Sequence, residues 1–453
     1  MLAHETEKGL YSYGIAIVLL FLLGVLGAGG QEPTYSAAGP DASPSIAALR
    51  KQIDSGNTAA MKTFWAGVRT SGTPLVEVAP NEKGFSLVTF LWHGNDQTRN
   101  VVIFDGVAGF DAKDRMLHLE HTNIWYKTYR VRNDARFAYN LSPNDSLQSF
   151  DAVKGDEAMR NRLAMLQADP LNPRRCPTTF GAYGADSSYV ELPDAPPLVW
   201  NSLAERVPEG KVSVTAIQSD YLKSKKKLWT YTPAGFAKDG ARYPLLVVFD
   251  GDRNVMWIPR ILDILISQKR IPPVVAIMTD NSVPSARRTE LPCNPQFADF
   301  LANELVPWAR KNYYVTSQTE RTIVAGSSFG GLASVFAGLQ HSDVFGNVIS
   351  LSGSFWWKPD GDKDGEWLTK LVKASPKLPL RFYLEVGLME NYSMQIDDNR
   401  HMQAVLVAKG YPLHYSEYDG GHSFLNWSVG MGDGLKFLLE EGDPAKDGSS
   451  SHH

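Results

Sequence analysis

The chain has 453 residues, 43% of them hydrophobic and 21% charged, a composition typical of globular proteins long enough for two domains. The formal net charge of −4 argues against a nucleic-acid partner, because proteins that bind nucleic acid carry a basic surface. The cysteines Cys176 and Cys293 stand in no CxxC or Cys/His pattern, so we predict no thiolate zinc site and expect two unpaired, buried thiols rather than a disulfide.

An uncharged apolar run near the N-terminus, GIAIVLLFLLGVLGAGG at residues 14–30, ends in small residues. The run is short for a membrane-spanning helix, which needs about 20 apolar residues, and it is typical of a signal peptide. Because Glu5 and Glu7 offset Lys8, an uncleaved membrane anchor is the alternative, and only then would the protein contact a membrane. We therefore expect residues 1–30 to export the protein to the periplasm or beyond, with a cytoplasmic location as the second interpretation.

The first half of the chain predicts a linker and then a β-rich domain. Residues 31–45 are rich in Pro, Ser, Ala and Gly, which favours a linker. The following stretch, SIAALRKQIDSGNTAAMKTFWAGV, has apolar residues at helical spacing. Short β-branched and aromatic segments such as FSLVTFLWHG and IWYKTYRV then alternate with Gly, Asn, Asp and Pro. We predict an immunoglobulin-like β-sandwich domain over residues 46–200.

The second half of the chain predicts an α/β-hydrolase domain over residues 205–445. The continuous apolar runs YPLLVVFDG, VVAIMTD, RTIVAGSS and NVISLSGS are typical of strands buried on both faces. Helical segments lie between these runs, which predicts a mostly parallel central sheet covered by helices. Active sites in such folds lie at the carboxyl ends of the strands, and the chemical motifs of this chain fall there.

The stretch TIVAGSSFGGLAS contains a G-x-S-x-G motif, residues 326–330, with Ser328 at its centre. A nucleophilic serine needs a tight turn between a strand and a helix, and flanking glycines relieve the crowding of that turn. The TIVA run before the motif and the GLASVFAGL run after it supply the strand and the helix. We predict Ser328 as the nucleophile and Ser327 as a packing residue.

The catalytic base is sought downstream of the nucleophile, because serine, acid and histidine follow one another in this fold. The candidates are His341, His401, His414 and His422. His422, in YDGGHSFLNW, lies just past a predicted strand in a glycine-rich loop, from which its imidazole can reach over the sheet. We predict His422 as the base.

The acid is sought in the segment FYLEVGLMENYSMQIDDNR, which contains Glu385, Glu390, Asp397 and Asp398. Glu385 falls inside the predicted strand, and the two aspartates begin the next helix, where acidic residues are common. Glu390 lies just beyond the strand end, so we predict it as the acid. The other carboxylates, or a dyad without a strong orienting acid, stay open.

The oxyanion hole requires backbone N–H donors fixed before the reaction. One donor is expected from Phe329, which follows the nucleophile. The other is expected from Gly251 or Asp252, in the FDGDRNVMW loop after the first central strand, where Asp250 is expected to fix the loop.

Several longer segments carry a resemblance to a known family. VTFLWHG, IWYKTYRV, RFAYNLSP and DPLNP in the first half, and DGDRNVMW, ELPCN, SGSFWW and GGHSFLNW in the second, are similar to the enterochelin (enterobactin) esterases. The resemblance covers most of the chain after the linker. It implies a serine esterase that hydrolyses catecholate siderophore trilactones, free or as the iron complex, and it implies the same nucleophile, base and acid. Neither a metal nor a cofactor is implied for the chemistry.

The resemblance also implies a set of substrate contacts. Arg287 matches an arginine expected to meet the anionic catecholates, and Trp257, Trp356 and Trp357 would offer flat surfaces to aromatic rings. The alternatives are that the tryptophans are core residues and that Arg287 and the neighbouring Arg288 are only a solvated pair with Glu290 as partner.

Two departures from the family keep other functions open. Well-known two-domain members work in the cytoplasm, whereas this chain begins with an export-like segment, and the FW that follows ELPCN in the family reads FADF here. An exported acetyl or feruloyl carbohydrate esterase is therefore the alternative activity. A catalytically silent siderophore- or glycan-binding protein is the third hypothesis.

Overall fold

The computed structural model describes residues 35–109, 114–176, 186–198, 206–390 and 394–439. The predicted signal peptide or anchor over residues 1–30 lies outside these ranges. Within them, no helix combines the length and the apolar character needed to cross a membrane.

The first half of the chain contributes nine strands and three helices among the described residues. The strands are β1 Tyr35–Ala37, β2 Leu75–Val78, β3 Phe85–His93, β4 Val101–Phe104, β5 Leu117–His118, β6 Ile124–Arg132, β7 Arg136–Pro143, β8 Arg175–Cys176 and β9 Ser187–Glu191. The helices are α1 Pro44–Asp54, α2 Ala60–Ser71 and α3 Asp156–Leu163. One antiparallel sheet has the order β1-β6-β3-β2 with β5 beside β6, and the other has the order β4-β7-β9-β8.

The two sheets share one hydrophobic core. Phe90 of β3 and Val131 of β6 pack in the same buried cluster as Ile103 of β4 and Phe137 of β7, and all four side chains are inaccessible to solvent. Two antiparallel sheets with a common core form a β-sandwich, as the sequence predicts. We call residues 35–198 the β domain.

The segments predicted as a linker and as one helix differ from the structure. Strand β1 pairs with β6, and α1 begins at Pro44, so residues 35–54 continue the β domain instead of linking it. The helical segment is split in two because Gly56 adopts φ +80°, which a right-handed helix does not allow. Backbone pairing at a sheet edge depends little on side chains, which is why composition did not reveal β1.

The second half contains eight strands in one sheet. They are β10 Lys211–Ser219, β11 Ser224–Thr232, β12 Leu245–Val248, β13 Val275–Thr279, β14 Thr322–Ser327, β15 Asn347–Leu351, β16 Arg381–Gly387 and β17 Leu413–Tyr418. Their order is β10-β11-β13-β12-β14-β15-β16-β17, and every pairing from β13 to β17 is parallel. This topology confirms the predicted mostly parallel α/β sheet.

Helices cover both faces of this sheet. They are α4 Gly251–Asn254, α5 Ile258–Ser267, α6 Pro284–Glu290, α7 Pro295–Asp299, α8 Val306–Asn312, α9 Phe329–Gln340, α10 Trp367–Ala374, α11 Gln395–Ala408 and α12 Phe424–Leu439, with a π-helical turn at Phe300–Leu305. Alternate residues of β12 enter different cores: Leu245 and Val247 face the cluster that contains α9, and Leu246 and Val248 face the cluster that contains α5 and α12. Burial on both faces explains the continuous apolar runs of the sequence.

Both cysteines are buried free thiols, as predicted. Burial raises the pKa of Cys176 and of Cys293, so neither is a reactive thiolate at neutral pH.

Candidate active site

Ser328 occupies a strained turn between β14 and α9. Its backbone has φ 58° and ψ −122°, a conformation that non-glycine residues rarely adopt outside functional sites. The backbone N–H of Ser328 donates to the carbonyl of Leu351 at 2.9 Å, and its Oγ lies 3.4 Å from the Oγ of Ser354. The turn therefore has the strand–serine–helix geometry of a nucleophile elbow.

The two glycines of the motif have different reasons to be glycine. A Cβ on Gly326 would lie 2.6 Å from the carbonyl carbon and oxygen of Gly330. A Cβ on Gly330 would meet only ordinary contacts, with Phe249 atoms at 3.5 Å or more. The available space therefore requires glycine at position 326 and would accommodate alanine at position 330.

We expect Gly326→Ala to lower the free energy of unfolding by about 1–3 kcal/mol, because overpacking at a rigid turn displaces backbone. Gly330→Ala is the matched control and is expected to change it by less than about 1 kcal/mol. Urea unfolding measures both variants. Equal losses in the two would contradict the packing argument.

Glu390 and His422 form a hydrogen-bonded pair beyond the ends of β16 and β17. His422 Nδ1 lies 2.6 Å from Glu390 Oε2, and the Glu390 side chain is fully buried. The other oxygen, Oε1, accepts from Ser352 Oγ at 2.7 Å, from the Gly387 N–H at 3.0 Å and from Tyr418 OH at 3.2 Å. Four hydrogen-bonding groups thus converge on the two oxygens of one carboxylate.

The pair fixes the tautomer of the imidazole. An ionised carboxylate can only accept, so Nδ1 of His422 carries the proton and Nε2 is left as the base. Burial and the charge of Glu390 raise the pKa of Tyr418 well above its ordinary value, so the phenol stays protonated and can donate to Glu390.

Contacts around Ser352 connect this pair to the nucleophile turn. Ser352 follows Leu351, which accepts the backbone hydrogen bond of Ser328. Trp427 Nε1 donates to Ser352 Oγ at 2.9 Å, and the Trp427 ring packs edge-on against His422 at 4.6 Å between centroids. Ser328, Glu390 and His422 therefore belong to the same edge of the sheet.

The other candidate acids make contacts elsewhere. Glu385 is buried in β16 and accepts from Tyr383 OH at 3.1 Å. Asp397 lies 3.7 Å from Arg400, and Asp398 lies beside His401. Glu390, by contrast, contacts His422 directly.

The other candidate bases contact residues that are not part of the predicted triad. His341 Nε2 lies 2.9 Å from Asp299, and His401 Nδ1 lies 3.0 Å from Glu366. His414 stacks on the ring of Tyr383 at 5.1 Å, and burial lowers its pKa.

The expected oxyanion donors stand at adjacent strand ends. Val248 of β12 pairs with Ala325 of β14, and Gly251 and Ser328 each follow three residues later. Gly251 and Asp252 begin α4 and Phe329 begins α9, so their N–H groups have no acceptor within the helix.

Arg287 is held by the loop that precedes α4. Its Nε and Nη2 donate to the two carboxylate oxygens of Asp250 at 2.7 and 2.8 Å, and its guanidinium lies 5.8 Å from the ring of Phe329. Asp250 outweighs burial and raises the pKa of Arg287. Glu290 pairs with Lys226 at 2.6 Å, and the partner of Arg287 is Asp250 instead of Glu290.

The three tryptophans have different surroundings. Trp356 is 37% exposed, and its ring lies 5.7 Å from that of Phe329. Trp357 packs edge-on against Trp367 at 6.0 Å beside the hydrophobic core. Trp257 lines a small space beneath the nucleophile turn with Trp427. Trp356 is thus the tryptophan that combines exposure with a contact to the oxyanion residue.

Sequence reasoning missed several supporting residues. Ser352 and Tyr418 both donate to Glu390, and Gln395 ties the loop after β15 by donating to the carbonyls of Ser352 and Gly353 at 2.6 and 2.8 Å. Arg253, in α4, lies 3.5 Å from Asp252 and adds a second guanidinium near that of Arg287. Ser352 and Tyr418 could have been found from the sequence by their position, because both lie at the ends of predicted strands.

Comparison with known proteins identifies the family. The esterase family model matches residues 219–438, and the model for the N-terminal domain of enterochelin esterase matches residues 87–201. The iron(III) enterobactin esterase of Dickeya dadantii is 30% identical over 89% of this chain and 98% of its own length. That of Escherichia coli is 31% identical over 77% of this chain and 90% of its own length.

A solved structure agrees with these sequence matches. The enterobactin esterase from Shigella flexneri, crystallised in the presence of enterobactin, has a TM-score of 0.68 and 28% identity, and the match covers 83% of this chain and 97% of that one. The resemblance seen in the sequence is confirmed, and the chain belongs to the enterochelin (enterobactin) esterase family.

Proposed function

We propose that this protein is a serine esterase that hydrolyses the ester bonds of catecholate siderophore trilactones such as enterobactin. Membership of the family and the relatives named iron(III) enterobactin esterase support the substrate class. The observation that carries the mechanism is the 2.6 Å contact between His422 Nδ1 and the buried Glu390, at the sheet edge where Ser328 forms its turn.

The first half-reaction opens the lactone. His422 Nε2 takes the proton of Ser328 Oγ as the oxygen attacks the ester carbonyl, and Glu390 stabilises the resulting imidazolium. The N–H groups of Phe329 and of Gly251 or Asp252 stabilise the oxyanion. The ester C–O bond then breaks, and the imidazolium protonates the departing serine oxygen of the trilactone to give a hydroxyl, which leaves an acyl-enzyme.

The second half-reaction releases the acyl group. Water attacks the acyl ester while His422 Nε2 accepts its proton, and the collapse of the intermediate returns that proton to Ser328 Oγ. These steps use groups of the chain and one water molecule, and iron enters only as part of the substrate.

Substrate recognition is assigned to the surface beside Phe329. Arg287 and Arg253 supply guanidinium groups that suit anionic catecholates, although Asp250 and Asp252 partly neutralise them. The exposed ring of Trp356 offers a stacking surface at the same place.

We expect Trp356→Ala to raise the KM for enterobactin by about tenfold and to change kcat by less than about threefold, because stacking contributes to binding equally before and during reaction. Trp356→Phe is the matched control, since it keeps a ring while losing the Nε1 bond to Gln395. Steady-state kinetics measures both. A fall in kcat with an unchanged KM in Trp356→Ala would contradict a role in binding.

The proposed substrate is tested by measuring hydrolysis of ferric enterobactin beside acetylated xylan, with Ser328→Ala as the control. Preferential cleavage of the trilactone that disappears in the variant is the expected result. Turnover of xylan alone would retain the serine mechanism and replace the substrate by acylated carbohydrate. Turnover of neither would favour the silent binding protein.

The proposed place of action is outside the cytoplasm, either in the periplasm or secreted. The support is the apolar run at residues 14–30 with its small-residue end. Cell fractionation with and without residues 1–30 tests it: the full chain is expected in the exported fraction, and equal distribution of the two chains would refute export.

A further inference from the structure

The loop that carries the acid is anchored in the β domain. Met389, the residue before Glu390, is 1% exposed and packs in the hydrophobic cluster between the two sheets of the sandwich, together with Phe90 and Phe137. The core of the β domain thus holds one neighbour of the catalytic carboxylate.

We call residues 419–422, which include the base His422, the base loop. This loop also contacts the β domain. The N–H of Arg136 donates to the carbonyl of Asp419 at 3.0 Å, and Arg132 Nε lies 3.2 Å from the Asp419 carboxylate. A Cβ on Gly420 would lie 2.7 Å from the carbonyl oxygen of Arg136. The backbone of the base loop therefore presses against β7 without room for a side chain.

Asp105 lies beside the residue that precedes the base. A Cβ on Gly421, the residue before His422, would lie 3.2 Å from Gly106 Cα and 3.4 Å from Asp105 Oδ1. Asp105 has φ 70°, and its Oδ1 accepts from the Gly106 N–H at 2.7 Å. The carboxyl group of Asp105 therefore lies against the backbone of the base loop.

Asp105 has unused hydrogen-bonding capacity. Its side chain is 2% exposed, and Oδ2 is buried without a partner among the residues that the structure describes. Burial raises the pKa of Asp105 from 3.8 to about 7, and the charge of Glu390 contributes in the same direction. Near neutral pH this carboxyl is therefore divided between its neutral and ionised forms.

We propose that Asp105 is a positioning residue for the esterase reaction, through which the β domain holds Gly421 and hence the bond between His422 and Glu390. The inference rests on the proposed function, because it needs the triad to be the working site. Asp105 touches the base loop and not the reacting atoms, so its effect passes through His422.

The charge state of Asp105 predicts a pH dependence of kcat/KM that tests this role. The charge of Glu390 acts on Asp105 from the esterase domain, and the charge of Asp105 acts on Cys176 within the β domain. Ionised Asp105 places a second negative charge near Glu390, which favours the imidazolium of His422 and reduces the free base. The rise of kcat/KM with pH is therefore expected to reach a higher pH in the wild type than in a variant that cannot ionise at this position.

The experiment measures kcat and KM for enterobactin hydrolysis from about pH 5 to about pH 9 with the full chain. Asp105→Asn keeps an oxygen acceptor for the Gly106 N–H and removes the ionisation, whereas Asp105→Ala removes both. Ser142→Ala is the control, because Ser142 is a buried residue of the β domain whose hydroxyl has no partner among the described residues.

We expect Asp105→Ala to lower kcat about 10- to 100-fold with KM changed less than about twofold, since a displaced base impairs the chemical step more than binding. Asp105→Asn is expected to recover most of this loss and to move the acid-side midpoint of kcat/KM to lower pH. Ser142→Ala is expected to match the wild type in both respects.

Wild-type kcat and an unchanged midpoint in both Asp105 variants would overturn the inference, and so would a loss of rate that follows only the folded fraction measured by circular dichroism. If neither variant folds, Gly421→Ala tests the same contact by changing the residue of the base loop that lies beside Asp105. A lower kcat at unchanged KM supports the inference, and wild-type kinetics overturns it. An inactive wild type, or an active Ser328→Ala, overturns the proposed function together with this inference.

Discussion

Ser328→Ala is expected to lower kcat for enterobactin hydrolysis by about 10⁴-fold or more, because no other group replaces its oxygen as nucleophile. The KM is expected to stay within about threefold, since the oxyanion donors and the surface beside Phe329 remain. The free energy of unfolding should change by less than about 1 kcal/mol, because among the described residues the hydroxyl contacts just Ser354, at 3.4 Å.

Ser327→Ala is the matched control for this prediction. Ser327 is 4% exposed and ends β14 one residue before the turn, so it tests whether any small change at the turn abolishes activity. We expect it to retain kcat within about threefold. Full activity in Ser328→Ala, or equal losses in both variants, would contradict the assignment of the nucleophile.

Glu390→Gln is expected to lower kcat by about 10³- to 10⁴-fold with little change in KM. The amide cannot accept from all four donors that surround Glu390, so its own NH₂ faces either His422 or the Ser352, Gly387 and Tyr418 group. His422 then loses both its fixed tautomer and the charge that stabilises its imidazolium. The free energy of unfolding should fall by about 1–3 kcal/mol, because a buried donor is left unsatisfied.

Glu385→Gln is the control for the charge of Glu390. Burial raises the pKa of Glu385 well above its ordinary value, which favours the protonated acid, and the amide has the same shape as that acid. We expect Glu385→Gln to keep kcat within about threefold. If the two variants lost activity equally, the loss would reflect disturbance of β16 and the role of Glu390 would be refuted.

The strands that carry the site were predictable because their burial is uniform. Residues 245–248 enter two different cores in alternation, so the run LLVV reports a central strand without ambiguity. Chain order and position beyond a strand end then suggested His422 and Glu390, and the structure brings them into contact although 32 residues separate them.

The sequence did not predict contacts between segments that are far apart along the chain. Arg287 was predicted as a substrate ligand, and nothing in its neighbourhood of the chain reveals that Asp250, 37 residues away, takes both of its forked donors. The wall formed by Asp105 and Gly106 against Gly421 joins two domains, and no periodicity or motif records it. The structure also distinguishes Trp356, which is exposed, from Trp357, which packs against Trp367, and the sequence alone does not make this distinction.

The most direct test of the account is the mass of the intact protein after rapid quenching of its reaction with enterobactin. Opening a cyclic trilactone leaves every atom of the substrate on the enzyme, so the account predicts an adduct of one whole trilactone, mapped by peptide analysis to Ser328 and absent from Ser328→Ala. Hydrolysis without any such adduct, or an adduct on another residue, would contradict a covalent mechanism at Ser328.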